Sequence, residues 1–273
     1  MTTAATRFRQ AYAEHREAEG RRADPETLAA LPYLEHGPFA REWAVRARTY
    51  EAFLRHVIAP LARSPSPVWE RGTGGEVRAA RSLKVLDAGA GTGWLCYRLN
   101  AAGHRATALD WRWDRIDGLG AAAAYGTLLE RMFGRVAASF DSLPLPDQSF
   151  DIVVFDAAIH YAEDLARVLA EAKRVTGAGG QIAILDSPFY RRREDGERMV
   201  ADKRRTLASA LMELNSIEYL TRERLAGAST GLGLAWRRHR VRYPLWYELR
   251  PFVAAITGRR RPSRFDLWTA ARS

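Results

Sequence analysis

Apolar residues divide the chain into two parts with different periodicity. In residues 40–61 they recur at three- and four-residue spacings, which predicts an amphipathic helix. From residue 84 onward, short apolar runs alternate with helical patterns, and this alternation predicts βαβ units and a parallel sheet. Prolines and glycines between residues 64 and 76 separate the two parts. We therefore predict a helical cap at residues 1–80 and an α/β domain at residues 81–273.

The second part carries predicted strands and helices in alternation. Seven apolar segments predict strands, at residues 84–89, 105–111, 134–140, 150–160, 181–187, 235–243 and 264–271. Helical spacing predicts five helices, at residues 93–104, 117–132, 164–175, 195–214 and 245–258. The fourth segment is apolar almost throughout, as expected for a strand that helices cover on both faces.

The formal net charge of +10 is unevenly distributed, because the excess lies in residues 190–273 and comes mainly from arginine. Such a region can bind an anionic partner, or it can be the solvated surface of an arginine-rich protein, which we favour. If any of these arginines meets an acidic substrate, we expect it to be one of Arg191–Arg193, which follow the fifth strand. Residues 237–242 would instead protect an exposed sheet edge against pairing with other chains.

The chain has one cysteine, Cys96, which cannot form an internal disulfide. No segment approaches the roughly 18 uncharged apolar residues that a membrane span needs, and the first residues lack the apolar region of a signal peptide. These features predict a soluble, cytoplasmic protein with no membrane partner.

The stretch "VLDAGAGTGW", residues 85–94, places glycines at 89, 91 and 93 between a strand and a helix. This arrangement is typical of nucleotide binding. Trp94 stands where a dinucleotide fingerprint needs a small residue. Asp87, just before the glycines, would repel a pyrophosphate but attract an ammonium group. The pattern therefore favours a nucleoside with a positive amine, and S-adenosylmethionine (SAM) fits that description.

The same stretch resembles motif I of the class I SAM-dependent methyltransferases. Asp110, in "ATALDW", lies at the end of the second predicted strand and 23 residues after Asp87, where members of that family place an acidic residue. "FDSLPLPDQSFDIVVFDAAIHYAED" and "EAKRVTGAGGQIAILDSP" resemble later motifs of the small-molecule branch known as type 11, with Ala178 in place of the usual proline. The resemblance covers residues 84–188. It implies a Rossmann-like, mostly parallel sheet of seven strands in the order 3-2-1-4-5-7-6, with the last strand antiparallel.

The resemblance also implies SAM as cofactor, S-adenosylhomocysteine as product, and a set of cofactor-binding residues. In the glycine turn these residues are Asp87, Ala88, Gly89, Ala90, Gly91, Gly93 and Trp94. Asp110 would bind the ribose, and Trp111 could cover the adenine. Family members often have a carboxylate that accepts a hydrogen bond from the exocyclic amine of adenine. Its expected position here is Ser139, with Phe140 supplying a backbone N–H, unless Asp141 has taken over this role. All three residues remain candidates.

The acceptor side is predicted at the end of the fourth strand. His160 is the candidate general base and Asp156 its orienting or accepting partner, although a histidine in this position is more often a packing or hydrogen-bonding residue than a base. We expect the N-terminal helices to form a lid with an aromatic lining (Tyr33, Phe39, Trp43 and Tyr50), and residues 187–199 to form the opposite wall. No His, Cys or Asp cluster has metal-ligand spacing, so no metal is predicted.

These observations predict an enzyme that transfers a methyl group from SAM to a small, polar or anionic molecule. One alternative is an RNA or protein methyltransferase that uses the arginine-rich last third, although no RNA-binding module is recognisable and a nucleic-acid partner is not favoured. Another is a non-catalytic protein with the same fold. The sequence leaves the acceptor atom and the oligomeric state open.

Overall fold

One sheet organises the part of the chain that the computed structural model describes, which is residues 3–20, 24–63, 81–206 and 215–272. Within these residues the sheet has seven strands in the order β3-β2-β1-β4-β5-β7-β6. The strands are β1 (Lys84–Ala88), β2 (Arg105–Asp110), β3 (Gly134–Ala137), β4 (Phe150–Asp156), β5 (Thr176–Leu185), β6 (Trp236–His239) and β7 (Leu267–Ala271).

The pairing of the strands confirms the predicted fold class. The strands from β3 to β5 run parallel to one another, and β7 is antiparallel to both β5 and β6. The predicted sixth strand is an edge strand, as expected, although its ladder is limited to Trp236–His239. Strands β1 and β4 form the centre, where the order of the chain along the sheet reverses and parallel sheets of this kind bind ligands.

Helices cover both faces of the sheet and its carboxyl edge. They are α1 (Thr3–Ala18), α2 (Pro25–Ala30), α3 (Ala40–Phe53), α4 (Ala59–Arg63), α5 (Trp94–Ala101), α6 (Leu165–Val175), α7 (Arg193–Thr206), α8 (Arg222–Ala228), α9 (Leu245–Glu248) and α10 (Arg250–Ile256). A π-helical turn, Leu54–Ile58, joins α3 to α4. The predicted helix at 195–214 corresponds to α7, and residues 207–214 lie outside the described part. None of the described helices has the length and apolarity to cross a membrane.

The predicted helix at 117–132 is wrong, because only residues Ala121–Thr127 form a 3₁₀ helix there. Asp114 Oδ1 accepts hydrogen bonds from the backbone N–H groups of Ile116, Asp117 and Gly118. These bonds form a turn just before the 3₁₀ helix, which begins at Ala121. At Gly120 a side-chain Cβ would lie 2.6 Å from the carbonyl oxygen of Trp113. The alanine-rich composition favours a helix, but this tight turn limits it.

The N-terminal helices do not have a core of their own. Leu28, Trp43 and Phe53 are buried in the same cluster as Val85 of β1 and Leu95 of α5. Burial of these shared side chains holds the helices against the sheet domain. Residues 64–80 lie outside the described part, so the boundary at residue 80 stays a prediction.

Candidate active site

A cavity of about 680 Å³ opens at the carboxyl ends of the central strands, beneath the N-terminal helices. Its volume lies within the range of roughly 300–1,000 Å³ that is usual for small-molecule sites. Strand ends supply Gly89–Gly91, Asp110 and Asp156, and the helices supply a largely apolar and aromatic roof. The cavity therefore lies where this type of sheet binds its ligands.

The glycine turn after β1 has a backbone that glycine adopts easily. Gly89, Gly91 and Gly93 have φ values of 86°, 53° and 76°, in the left-handed region that other residues avoid. A Cβ on Gly89 would lie 2.4 Å from Cβ of Ala158, so the loop after β4 approaches the turn closely only because Gly89 has no side chain. The turn thus presents backbone to the cavity.

Asp110 connects the end of β2 to this turn. Its Oδ2 accepts a hydrogen bond of 2.9 Å from Gly91 N, and its Oδ1 accepts one of 2.8 Å from Arg112 N. Burial raises the pKa of Asp110, whereas Arg112 lowers it. An ionised carboxylate has about four acceptor positions. Asp110, which lines the cavity, therefore retains acceptor positions for hydroxyl groups of a ligand.

The predicted adenine residues all reach the cavity. Ser139, Phe140 and Asp141 line it, and the structure does not single out one of them. Trp111 also lines the cavity, and its ring stacks on Phe8 of α1 with the ring centroids 5.8 Å apart. Of the remaining predicted turn residues, Ala90 and Trp94 are in the wall, whereas Asp87, Ala88 and Gly93 are not.

Asp87 is 1% exposed, and its Oδ1 has no hydrogen-bond partner among the described residues. Its Oδ2 lies 3.8 Å from Sγ of Cys96. Burial and the neighbouring Asp156 raise the pKa of Asp87. A buried carboxylate oxygen without a hydrogen-bond partner is unfavourable, and a positively charged ligand nearby would offset that cost. The residues present therefore fit a cofactor that carries an ammonium group, as SAM does.

Arg46 of α3 forms the centre of a charged cluster in the wall of the cavity. Its Nη2 lies 2.9 Å from Oδ2 of Asp156, and its Nε lies 3.5 Å from Oδ2 of Asp186. Its guanidinium also lies 4.4 Å from the ring centroid of Trp43. Burial lowers the pKa of Arg46, but Asp156 and Asp186 outweigh burial and raise it. The guanidinium is therefore a permanent charge.

Asp186 follows β5 with a left-handed φ of 47°, and neither of its carboxylate oxygens has a hydrogen-bond partner among the described residues. Burial and Asp156 raise the pKa of Asp186 to about 8. Asp186 lines a second cavity of about 360 Å³, and Arg46 and Ala157 line both cavities. Neither Arg46 nor Asp186 was predicted from the sequence. One available signal was a charged residue three positions after Trp43, on the apolar face of the predicted helix.

His160 lies outside the walls of both cavities. Its Nδ1 is 3.4 Å from Oγ of Ser187, and burial, together with Lys203 and Arg46, lowers its pKa to about 3. The imidazole is therefore neutral near neutral pH and a poor proton acceptor. Its role as a base stays a prediction that this position does not favour. Asp156 does line the large cavity, and its Oδ1 has no partner among the residues that the structure describes.

Only some of the residues predicted to line a lid lie in the cavity wall, and the lid itself stays a prediction. Phe39 and Trp43 line the large cavity, but Tyr33 is 47% exposed, and Tyr50 is buried against Trp94. No residue of 187–199 is in the wall, so that predicted wall is wrong. The missing part of the roof is α1, which contributes Phe8, Tyr12 and Arg16. Residues 3–18 contain no motif, so the sequence did not point to them.

Helix α1 is joined to the rest of the site by polar and aromatic contacts. Nε of Arg16 lies 2.9 Å from Oδ2 of Asp117, in the loop after β2. The ring of Tyr12 meets that of Tyr161 edge to face at 6.3 Å, and the guanidinium of Arg112 lies 4.5 Å from the Tyr12 ring centroid. These contacts hold α1 over the cavity.

The two arginine groups that the sequence singled out lie elsewhere. Arg191–Arg193 are exposed and are not part of the cavity wall. Arg238 of β6 does more than protect the sheet edge, because its Nη2 lies 2.6 Å from Oδ2 of the buried Asp266. Among the described residues, no group of three or more His, Cys, Asp or Glu side chains is arranged to hold a metal ion.

The strand order, the glycine turn and the acidic residue that closes β2 together define the class I methyltransferase fold. Residues 86–184 match the model of the family described as "Methyltransferase domain". Residues 86–184 therefore form a methyltransferase domain, as the motifs in this part of the chain predicted.

Two curated relatives share this domain. A malonyl-[acyl-carrier protein] O-methyltransferase from Erwinia pyrifoliae is 35% identical over 38% of this chain and 37% of its own length. A demethylmenaquinone methyltransferase from Thermobifida fusca is 31% identical over 43% of this chain and 49% of its own length. The chain therefore matches less than half the length of either relative.

One solved structure extends the comparison to the fold. An S-adenosylmethionine-dependent methyltransferase from Mesorhizobium loti superimposes with a TM-score of 0.50 at 21% identity, over 70% of this chain and 91% of that chain. At this identity, the likeness concerns the fold alone.

Proposed function

We propose that this protein is a SAM-dependent methyltransferase that acts on a small molecule. The observation that carries the proposal is the carboxylate of Asp110, which accepts a hydrogen bond from Gly91 N and faces a cavity of about 680 Å³. The two relatives are named for different acceptors, malonyl-[acyl-carrier protein] and demethylmenaquinone. Their similarity therefore supports the reaction without selecting its acceptor.

The cofactor would bind along the carboxyl ends of β1 and β2. Asp110 would accept hydrogen bonds from the ribose hydroxyls, and Ser139, Phe140 and Asp141 would contact the adenine. The glycine turn would lie against the methionine part, with Asp87 as the buried charge that attracts its ammonium group. When bound, SAM supplies a methyl group that is already activated for displacement. The residues of the chain would then align the acceptor, which can contribute roughly 7–11 kcal/mol, and exclude water.

The acceptor would bind between α3 and the end of β4. Trp43 offers an aromatic surface there, and Oδ1 of Asp156 has no partner among the described residues. A hydroxyl or amine loses a proton when it is methylated, and Oδ1 of Asp156 can accept that hydrogen bond or proton. Arg46, bonded to the other oxygen, holds the carboxylate in place. His160 remains the alternative base.

Incubation of the protein with a cell extract and SAM carrying an isotope-labelled methyl group tests the proposal. We expect a small molecule to gain the labelled methyl group, and an Asp110→Asn variant to show much less transfer. Calorimetry with S-adenosylhomocysteine provides an independent measurement, because it needs no acceptor. The absence of measurable binding in the native protein would contradict the proposal.

A further inference from the structure

The segment from Leu245 to Ile256, which we call the docking segment, presents an apolar face to solvent. Nine large apolar side chains are exposed among the described residues, and six of them lie in this segment of twelve residues. They are Leu245 (73% exposed), Trp246 (42%), Leu249 (43%), Phe252 (67%), Val253 (54%) and Ile256 (86%). An apolar surface concentrated in one place marks an interaction site.

The exposure follows from the helical geometry of the segment. Leu249 N donates to the carbonyl of Leu245, and Val253 N donates to that of Leu249, so α9 and α10 are nearly continuous. Leu245, Leu249, Phe252, Val253 and Ile256 follow the spacing of a single helix face. Tyr247 and Ala254 are buried on the side that packs on the protein. The exposed face is therefore a second apolar face, turned away from the core.

The surroundings of this face are basic. Residues 240–261 contain six arginines and one carboxylate, Glu248. Both oxygens of Glu248 already accept hydrogen bonds from Arg264, at 2.8 and 2.9 Å. Arg242, Arg259 and Arg261 are exposed and form no ion pair with the described residues. A partner that complements this surface must be apolar in the middle and negative around it.

We propose that the docking segment binds the surface of an anionic lipid bilayer. A helix with an apolar face and flanking arginines can lie in the interface, with its apolar side chains among the acyl chains and its arginines at the headgroups. The guanidinium of Arg41 lies 5.9 Å from the ring centroid of Trp246. Trp246 has an apolar ring with a polar N–H, which suits the boundary between headgroups and acyl chains. The absence of a spanning helix does not bear on this mode of binding.

A second copy of the chain fits this surface less well. In a symmetric dimer the same patch meets itself, so Arg242, Arg259 and Arg261 of one copy would approach those of the other. Like charges that face each other across an interface oppose association. The docking segment also contributes Trp246 and Tyr247 to the cavity of about 360 Å³ that reaches Arg46 and Asp186. Binding to a bilayer would thus bring lipid close to the acceptor side of the proposed active site.

Sedimentation with lipid vesicles tests the proposal on the full chain. We expect the protein to sediment with vesicles of phosphatidylcholine and phosphatidylglycerol, and to stay in solution with phosphatidylcholine alone. A Phe252→Ser/Ile256→Ser variant should lose this binding, because both residues are highly exposed and their replacement leaves the core intact. The matched control is Tyr33→Ser/Leu128→Ser, which removes exposed apolar side chains elsewhere and should bind like the native protein. An Arg259→Gln/Arg261→Gln variant should bind at least ~10-fold more weakly.

Two results would overturn the proposal. The first is equal binding of native protein and the Phe252→Ser/Ile256→Ser variant to anionic vesicles, or no binding of either. The second is a native dimer in sedimentation equilibrium that this variant dissociates, which would make a second copy the occupant. Thermal unfolding of each variant verifies that it is folded. None of these measurements requires methyl transfer, so their outcome is independent of the proposed function.

Discussion

Nη2 of Arg46 lies 2.9 Å from Oδ2 of Asp156, although the two residues are 110 positions apart in the chain. This contact joins α3 to the carboxyl end of β4. Side-chain exposures of 15% for Arg46 and 4% for Asp156 shield it from solvent. The same guanidinium reaches Asp186 after β5. One arginine therefore connects the N-terminal helices to two strand ends at the proposed acceptor site.

We expect Arg46→Gln to destabilise the protein strongly near neutral pH. The substitution leaves Asp156 buried without its cation, and removing one partner of a buried ion pair costs about 3–5 kcal/mol. The control is Arg48→Gln on the same helix, where the side chain is 53% exposed and pairs with Glu51. That change should cost less than about 1 kcal/mol. Urea unfolding of the two variants measures both values, and equal destabilisation would contradict the role of Arg46.

The stability of the protein should depend on Asp186 between about pH 4 and pH 8. Its pKa is raised to about 8 in the folded state, whereas an unfolded aspartate titrates near 3.9. The folded state therefore binds more protons in this range, so stability is greatest below the unfolded pKa and falls as pH rises towards 8. Asp186→Asn removes this contribution. The difference in unfolding free energy between native protein and variant should change across this range and be constant above it. A difference that is constant from pH 4 to 8 would exclude the raised pKa.

Most of the sheet could be predicted from the sequence, because each strand has its own local signal. The strand order came from the family resemblance, which rests on "VLDAGAGTGW" and Asp110, and the cavity is built around those residues. The failure at 117–132 has a local cause. Alanine content favours a helix, but the hydrogen bonds of Asp114 and the close contact at Gly120 depend on a turn that apolar periodicity does not reveal.

The roof of the site was harder to predict, because it depends on contacts between distant residues. Arg16 meets Asp117, and Arg46 meets Asp156, at separations of 101 and 110 residues. An arginine on a helix predicts a solvated charge unless its partner is known. In the segment 245–258, apolar side chains that a helix pattern would place in the core are exposed instead. Its periodicity correctly predicted a helix, but periodicity alone does not tell which apolar face points to the core.

Replacing Gly91 should weaken binding of S-adenosylhomocysteine. A Cβ at this position lies in a left-handed backbone and 3.3 Å from the carbonyl oxygen of Asp117, so Gly91→Ala shifts the turn and its bond to Asp110. We expect an affinity loss of at least ~10-fold, or ~1.4 kcal/mol. Gly103→Ala is the matched control, since Gly103 also has a positive φ, but a Cβ there would have no atom of the described residues within 4 Å. Calorimetry should show native affinity for that control, and equal losses in both variants would place the site elsewhere.

Asp110→Ala should weaken binding of SAM by roughly 10- to 150-fold, because a hydrogen bond to a charged group contributes about 1.5–3 kcal/mol. Part of this loss comes from the turn, where Gly91 N and Arg112 N lose their acceptor. Asp110→Asn keeps one oxygen at nearly the same place and should lose less. A change below about threefold in the alanine variant would contradict the assignment of Asp110 to the ribose.

The last prediction separates the two candidates for the acceptor side. Asp156→Asn removes the carboxylate that lines the cavity, and it should lower turnover by roughly 10²- to 10⁴-fold if Asp156 is the proton acceptor. His160→Gln should keep most activity, because His160 lies outside the cavity wall and burial lowers its pKa to about 3. Neither variant should change the affinity for S-adenosylhomocysteine more than a few-fold, since Asp110 and the glycine turn are untouched. Turnover measured with the acceptor that gains the labelled methyl group, beside calorimetry, distinguishes the two residues. Loss of activity in His160→Gln with an active Asp156→Asn would return the base to His160 and confine Asp156 to holding Arg46.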